Sequence, residues 1–278
     1  MNIEEKKKWI AEKYKEENMK LLKSDIFADL IKLFSDLGKQ YSQLLKEALK
    51  PLQNIDLQGL EKEWKEAAES LARKGWTIPM NMDIEEIFEL SQIEDKAVID
   101  SSFQTFYSKE KEFQFIKTNI LEYELINGWK ELLEQCFENY EKGNYLIVIP
   151  NLFIIIENIS NILISPRYQK YLNHNKRTSL RTKYKKVQQD IDSNSVYIIF
   201  YVSVAEFLSE AFAFGDFDNN PIRLPMINRD WVLHGRDDPK NWKQVDALRL
   251  FNALQTIVEL DFLLKDLEKE AADVELVK

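Results

Sequence analysis

The string from Asn228 to Arg236 contains residue types at a spacing that suits phosphodiester chemistry. It includes His234, and histidine is the usual proton-transfer group because its ordinary pKa lies closest to neutral pH. Arg229 lies five residues earlier, and its planar guanidinium can hold a phosphate or the charge that develops on it. The pair predicts a site that cleaves a phosphodiester. In the competing interpretation, His234 packs in the fold and Arg229 pairs with a surface carboxylate.

The spacing of this pair also constrains the local structure. On a regular helix, a five-residue step turns the chain by about 500°, so the two side chains point about 140° apart. We therefore expect Arg229 to begin a short helix after an Asn228 cap and to reach round towards His234. Gly235 is expected to end that turn.

The same string resembles the hallmark of the HEPN domains, which is an arginine, four to six residues beginning with a polar one, and a histidine. Here Arg229, the polar Asp230, three apolar residues and His234 fill the pattern, and we call residues 228–236 the Arg–His motif. The resemblance covers residues 118–270 and implies a four- or five-helix bundle. It also implies a homodimer in which the arginine and histidine of both protomers face a shared cleft. Arg167 and His174 satisfy the loose spacing too, but a tyrosine follows that arginine.

The activity that this resemblance implies is metal-independent endoribonuclease cleavage without a cofactor, in a toxin, an abortive-infection protein or another antiviral defence effector. His234 would act as acid or base on the ribose 2′-hydroxyl and the leaving oxygen, leaving a 2′,3′-cyclic phosphate. Arg229 would stabilise charge on the phosphate, and Asp230 would orient the pair. Two alternatives stay open: a non-catalytic HEPN-like module that binds a nucleotide, RNA or an antitoxin or regulatory partner, and a helical adaptor protein.

Glu157 is a further candidate because it interrupts a run of isoleucines. An ionised carboxylate on so apolar a helix is costly to bury unless it is paired, and Arg229 or His234 is the natural partner. We expect Glu157 to orient or polarise that pair and count it with the catalytic residues. The alternative is a polar network in the core or a position at a dimer seam.

Residues 166–189, which we call the basic segment, carry eight cations and no acidic residue, whereas the chain as a whole has a net charge of −9. Tyr168, Tyr171 and Tyr184 lie among the cations, a pattern that suits an electrostatic track with stacking faces for single-stranded RNA. The alternative is a solvated loop. The residues predicted to contact RNA are Lys176, Arg177, Arg181, Lys183, Lys185 and Lys186.

The elements that must position these residues are helices. Few glycines and apolar residues at three- and four-residue intervals predict an all-α protein, with an N-terminal helical region at 1–117 and a HEPN-like bundle at 118–278. Residues 76–82 look like a non-helical linker and a candidate boundary. The predicted helices cover 24–49, 57–74, several short pieces within 83–117, then 118–142, 145–164, 195–214 and a last one from Asp238–Pro239 to about 270.

The composition excludes several classes of site. The seven glycines are never spaced to form a phosphate-binding loop, and one cysteine with two histidines cannot build an ordinary zinc site or an internal disulfide. Cys136 falls on an apolar helical stripe, where a thiol is usually inert. The lone cysteine and the charged N-terminus predict a cytoplasmic protein. The apolar run 145–164 contains Glu157 and is expected to form a core helix, not a membrane span.

Overall fold

The computed structural model describes residues 57–79, 81–169, 178–189, 197–217, 219 and 222–276. This part of the chain is helical and contains no strand, which confirms the all-α prediction. The amphipathic segment 24–49 and four of the residues named above, Tyr171, His174, Lys176 and Arg177, lie outside the described residues.

The described part contains ten α-helices, numbered here in chain order. They are α1 Leu57–Arg73, α2 Ile84–Ser91, α3 Lys96–Ser108, α4 Glu110–Glu122, α5 Lys130–Glu141, α6 Tyr145–Tyr168, α7 Leu180–Gln188, α8 Tyr197–Ala211, α9 Arg229–Leu233 and α10 Gln244–Leu276. Two short 3-10 helices cover Glu124–Trp129 and Pro239–Asn241.

Short side chains and glycines set many of the helix ends. The Asp83 and Asp95 carboxylates accept hydrogen bonds from backbone N–H groups in the first turns of α2 and α3, which would otherwise lack partners. Gly143 adopts a φ of 80° in the turn between α5 and α6, and the two helices pack together as a hairpin. The capping signals visible in the sequence therefore fix several of the boundaries seen in the structure.

The predicted start of the last long helix was wrong by several residues. Asp238 caps only the 3-10 helix, and α10 begins at Gln244. Between them the backbone of Trp242 is extended, and its indole N–H donates to the Asp237 carboxylate at 2.9 Å. The buried indole packs in the core at this position, so the chain leaves the helical path before α10 starts.

One continuous hydrophobic core runs from Trp64 to Leu264. Within it α6 packs against α5, α7 and α10, while α8 packs against α1, α7 and α10. The part of the predicted N-terminal region that is described, residues 57–117, shares this core with the bundle, and the core shows no break at residue 117.

Residues 76–79 are non-helical, as predicted, but they are buried. The Thr77 hydroxyl bonds to the side chains of Asn252 and Thr256, both at 2.8 Å, and the backbone N–H of Ile78 donates to the Ser203 hydroxyl at 3.0 Å. The Thr77 N–H also donates to the Asn252 side-chain oxygen at 3.0 Å, so the N–H groups of Thr77 and Ile78 are satisfied without a helical partner. The segment is therefore tied to α8 and α10 and does not form an exposed linker.

Among the described residues, α6 is the one helix long and apolar enough to cross a membrane, with a mean hydropathy of 1.9. Its inward face is fully buried in the protein core through residues such as Ile149, Phe153, Ile156 and Ile159.

Glu259 on α10 is a half-buried acid with one carboxylate oxygen shielded from water. Glu259 accepts a hydrogen bond from the Gln255 amide, but its second carboxylate oxygen is buried and makes no hydrogen bond within the described part of the chain. Burial raises the pKa of Glu259 to about 8, although the Gln255 bond acts in the opposite direction. The acid is therefore protonated at neutral pH.

We predict that Glu259 makes the fold less stable as the pH rises. The pKa of Glu259 is higher in the folded chain than in the unfolded chain, so folding takes up a proton between about pH 4.5 and 8. The free energy of unfolding therefore falls as the pH rises through that window, by up to about 1.4 kcal/mol per pH unit. Glu259→Gln should flatten this dependence, measured by urea denaturation from pH 5 to 8.5. The exposed Glu134→Gln variant is the control, and equal slopes for both variants would contradict the prediction.

Candidate functional site

The Arg–His motif forms the short helix α9 and its two caps. The Asn228 side-chain oxygen accepts hydrogen bonds from the N–H groups of Asp230 and Trp231, at 2.9 and 3.3 Å. Gly235 adopts a φ of 66° directly after His234 and ends the turn. The expected cap, start and end of this helix are therefore confirmed.

The Asn228 side chain also holds α9 against the end of α8. Its amide nitrogen donates to the carbonyl oxygens of Glu210 and Ala213, at 3.1 and 3.0 Å. Asn228 is almost completely buried, so both ends of its side chain are satisfied by backbone groups. One residue thus starts the helix and fixes its position.

Two carboxylates hold the Arg229 guanidinium. Its Nε and Nη2 atoms lie 3.0 and 2.9 Å from Glu157 Oε2, and its Nη1 atom lies 2.9 Å from Asp230 Oδ1. These contacts use three of the five guanidinium N–H groups and leave one on each terminal nitrogen. Burial lowers the pKa of Arg229, but the bonds to Asp230 and Glu157 outweigh it and raise the pKa above its ordinary value. Arg229 is therefore an oriented, charged fork with two donors left for an anion.

Glu157 has the partner that the sequence suggested. It lies on α6, its side chain is 37% exposed, and it contacts Arg229, which is 26% exposed. These contacts place Glu157 at the guanidinium, where it can orient Arg229. They support the expectation that Glu157 positions Arg229. Neither of these contacts connects Glu157 to His234.

Asp230 connects Arg229 to the loop that follows α8. One of its oxygens binds the guanidinium, and the other accepts a hydrogen bond from the backbone N–H of Gly215 at 3.1 Å. The side chain is 14% exposed, so this bridge is largely shielded from water. Its expected role in orienting the guanidinium matches these contacts.

His234 is the exposed residue at the C-terminal end of α9. Within the described residues its imidazole makes no hydrogen bond, and its neighbour is the edge of Phe217, with ring centres 6.0 Å apart. Phe217 also packs against Trp231, and the Arg236 guanidinium lies over the Phe217 ring at 5.4 Å. The imidazole is thus open to a molecule arriving from solvent.

The loop at residues 212–217 is the part of this site that the sequence did not reveal. A side chain at Gly215 would meet the Phe217 ring at 2.4 Å, so only glycine lets the ring fold back over the loop. The glycine and the three phenylalanines of this loop were visible in the sequence. What was missing is the knowledge that Asp230 and Asn228 bind this loop.

Part of the basic segment forms the helix α7, whereas one interpretation of the sequence was a solvated loop. Of the residues predicted to contact RNA, Lys185 and Lys186 are exposed on α7, while Arg181 and Lys183 are partly buried. Lys183 donates to the Asn161 side chain on α6 at 3.0 Å, and the Asn161 amide donates to the backbone oxygen of Glu157 at 2.9 Å. Because four residues span about 6 Å of helix, α7 lies about one turn of α6 from the Glu157–Arg229 pair.

The prediction that the tyrosines of this segment provide stacking faces was wrong for two of the three. Tyr168 and Tyr184 are buried, and the Tyr184 hydroxyl donates to the Ser160 carbonyl oxygen at 3.2 Å. They pack inward because the segment is an extension of α6 and an amphipathic helix with an inward face. Tyr171 lies outside the described residues.

Arg167 also belongs to the core side of the basic segment. Its Nη1 atom donates to the Leu163 carbonyl oxygen at 2.6 Å and lies 3.7 Å from the buried Asp261 carboxylate. Asp261 in turn accepts a hydrogen bond from the Tyr123 hydroxyl at 2.8 Å. Arg167 is therefore a structural cation between α6 and α10, which removes it from the surface that could meet RNA.

Other catalytic groups find little support within the described residues. No group of three or more histidine, cysteine, aspartate or glutamate side chains could hold a metal ion there. Cys136 is buried on α5, and burial raises the pKa of its thiol to about 11. A thiol in that environment is a poor nucleophile at neutral pH.

Comparison with protein families, curated proteins and solved structures finds no match to this chain. The resemblance to HEPN domains therefore rests on the residues of the Arg–His motif alone.

We predict that Asn228→Ala lowers the free energy of unfolding by about 2 kcal/mol, because it removes a helix cap and leaves the carbonyl oxygens of Glu210 and Ala213 without their side-chain donor. The measurement is chemical denaturation at neutral pH. Asn144→Ala is the matched control, since Asn144 also precedes a helix but makes no capping hydrogen bond. A loss for Asn228→Ala no greater than that of the control would contradict the structural role.

We predict that Cys136 reacts slowly with a disulfide reagent in the folded protein. With its pKa raised to about 11, only about one thiol in a thousand is ionised at pH 8. Labelling should become complete once the chain is unfolded in guanidinium chloride, which serves as the control. Equal labelling rates for the folded and unfolded chains would show that the thiol is accessible and ionised.

Proposed function

We propose that this protein is a metal-independent endoribonuclease that uses the ribose 2′-hydroxyl as the attacking group. The observation that carries the proposal is that three features distant in the sequence meet around α6. Glu157 on α6 holds Arg229, Asn161 one turn later holds Lys183 of the basic segment, and the exposed His234 ends the same short helix that Arg229 begins.

Each residue has a role that its surroundings allow. The two N–H groups of Arg229 that remain outside its carboxylate contacts can bind the scissile phosphate and stabilise charge on it. His234 takes the proton of the 2′-hydroxyl as a base or gives one to the 5′ leaving oxygen as an acid. Glu157 and Asp230 act as positioning residues for Arg229, and Lys185 and Lys186 attract the RNA backbone.

The need for both an acid and a base in this reaction is the reason to expect a homodimer. The Arg–His motif of one protomer provides one imidazole, whereas cleavage with both an acid and a base is best served by two. We therefore propose a homodimer in which the motifs of two protomers form one composite site. A toxin or antiviral defence effector fits such an enzyme, with an antitoxin or regulatory partner restraining it.

We predict that His234→Ala reduces RNA cleavage by about 10²- to 10⁴-fold, the usual contribution of a general acid or base. Arg229→Lys should cause a similar loss of about 10²- to 10³-fold, because lysine keeps the charge but lacks the fork that grips a phosphate. The assay follows cleavage of single-stranded RNA in the presence of EDTA and identifies the 2′,3′-cyclic phosphate on the product.

His174→Ala is the matched control, since it removes the other histidine of the chain and should leave cleavage unchanged. Circular dichroism and the denaturation midpoint establish that each variant is folded. Full cleavage by folded His234→Ala, or cleavage that EDTA abolishes, would refute the proposal. Wild-type protein that binds RNA and leaves it intact would favour the non-catalytic module instead.

A further inference from the structure

We infer that Phe214 is a stacking platform for an unpaired base of single-stranded RNA next to the phosphate held by Arg229. The inference rests on the proposed function for the identity of that phosphate, and it specifies the substrate as unpaired RNA. Its starting point is the exposure of Phe214, which at 77% is the greatest among the large hydrophobic side chains that the structure describes.

The backbone on both sides of Phe214 is held by the two residues that flank Arg229. The Asn228 amide donates to the carbonyl oxygen of Ala213 at 3.0 Å, and the Asp230 carboxylate accepts from the N–H of Gly215 at 3.1 Å. Phe214 is thus fixed in register with Arg229 across two hydrogen bonds. Phe214 is exposed on a loop whose backbone is held by hydrogen bonds at both of its chain neighbours, Ala213 and Gly215.

The next aromatic residue in the loop, Phe217, is only partly exposed. Phe217 folds back over Gly215 and packs against Trp231, while Phe214 is left in water. Leaving a phenyl ring exposed forgoes the hydrophobic stabilisation that burial would give. An exposed aromatic ring on an anchored backbone beside a phosphate-binding arginine is the arrangement by which proteins stack unpaired bases.

The charges around the loop suit this ligand. Arg229 keeps two N–H groups outside its carboxylate contacts, and the exposed Arg236 lies over the Phe217 ring. The nearest acidic residue along the chain, Asp216, accepts hydrogen bonds from the Asn219 amide at 2.9 and 3.2 Å and is engaged within the loop. Stacking on Phe214 would then place one nucleotide beside Arg229 and His234.

The test compares RNA with the same backbone lacking its bases. Binding of a fluorescein-labelled single-stranded RNA of about 15 nucleotides, and of an abasic ribose-phosphate oligomer of equal length, is measured by fluorescence anisotropy in the uncleaving His234→Ala protein. Phe214→Leu, which keeps an apolar side chain and removes the aromatic face, should raise the Kd for RNA by about 5- to 150-fold, the usual loss for one stacked base. It should leave the Kd for the abasic oligomer unchanged.

Two controls define what the result means. Phe214→Tyr restores an aromatic face and should restore affinity, and Ile222→Ala removes another highly exposed apolar side chain, 75% exposed, and should have no effect. An unchanged Kd for Phe214→Leu, an equal loss on the abasic oligomer, no binding of RNA to the parent protein, or a change of oligomeric state caused by Phe214→Leu would each overturn the inference.

The cleavage assay separates this result from the proposed function. If wild type cleaves RNA while Phe214→Leu binds it normally, the ribonuclease proposal stands and the stacking inference fails. If binding depends on Phe214 but wild type does not cleave, the stacking inference stands and the catalytic proposal fails.

Discussion

The ion pair between Glu157 and Arg229 is the constraint around which the candidate site is organised. Glu157 interrupts the apolar helix α6, and its partly exposed carboxylate has an ion-pair partner there. Arg229 supplies that partner from 72 residues further along the chain. Because the contact fixes α9 on α6, it also sets where His234, Asp230 and the loop before α9 must lie.

Asn228 and Asp230 fix the Glu157–Arg229 pair to the surrounding parts of the structure. Each binds two parts of the structure at once: Asn228 joins the start of α9 to the end of α8, and Asp230 joins Arg229 to the backbone of Gly215. Such bridges hold a charged side chain in one orientation without using all of its donors, which is the preorganisation that binding of a phosphate requires. The same bonds hold Phe214 in solvent and allow Phe217 to pack inward.

Local signals in the sequence predicted much of this protein, and the errors have a common cause. The Asn228 cap and the Gly235 turn depend on a few neighbouring residues, and both are present. The Tyr184 prediction was wrong because an amphipathic helix has an inward and an outward face, and periodicity alone did not show that this tyrosine lies inward. Trp242 shifted the start of the last helix through a contact with Asp237 and the core.

The sequence by itself determined the all-α class and the Asn228 cap, and it predicted a partner for Glu157. These follow from intrinsic propensities and from the cost of burying a charge, which act within one segment. Only the tertiary structure decided that Arg229 is the partner and that Lys183 lies one helical turn away. It also decided that Asn228 and Asp230 anchor the loop carrying Phe214. These contacts join segments distant in the chain, and which segments meet depends on how the whole core packs.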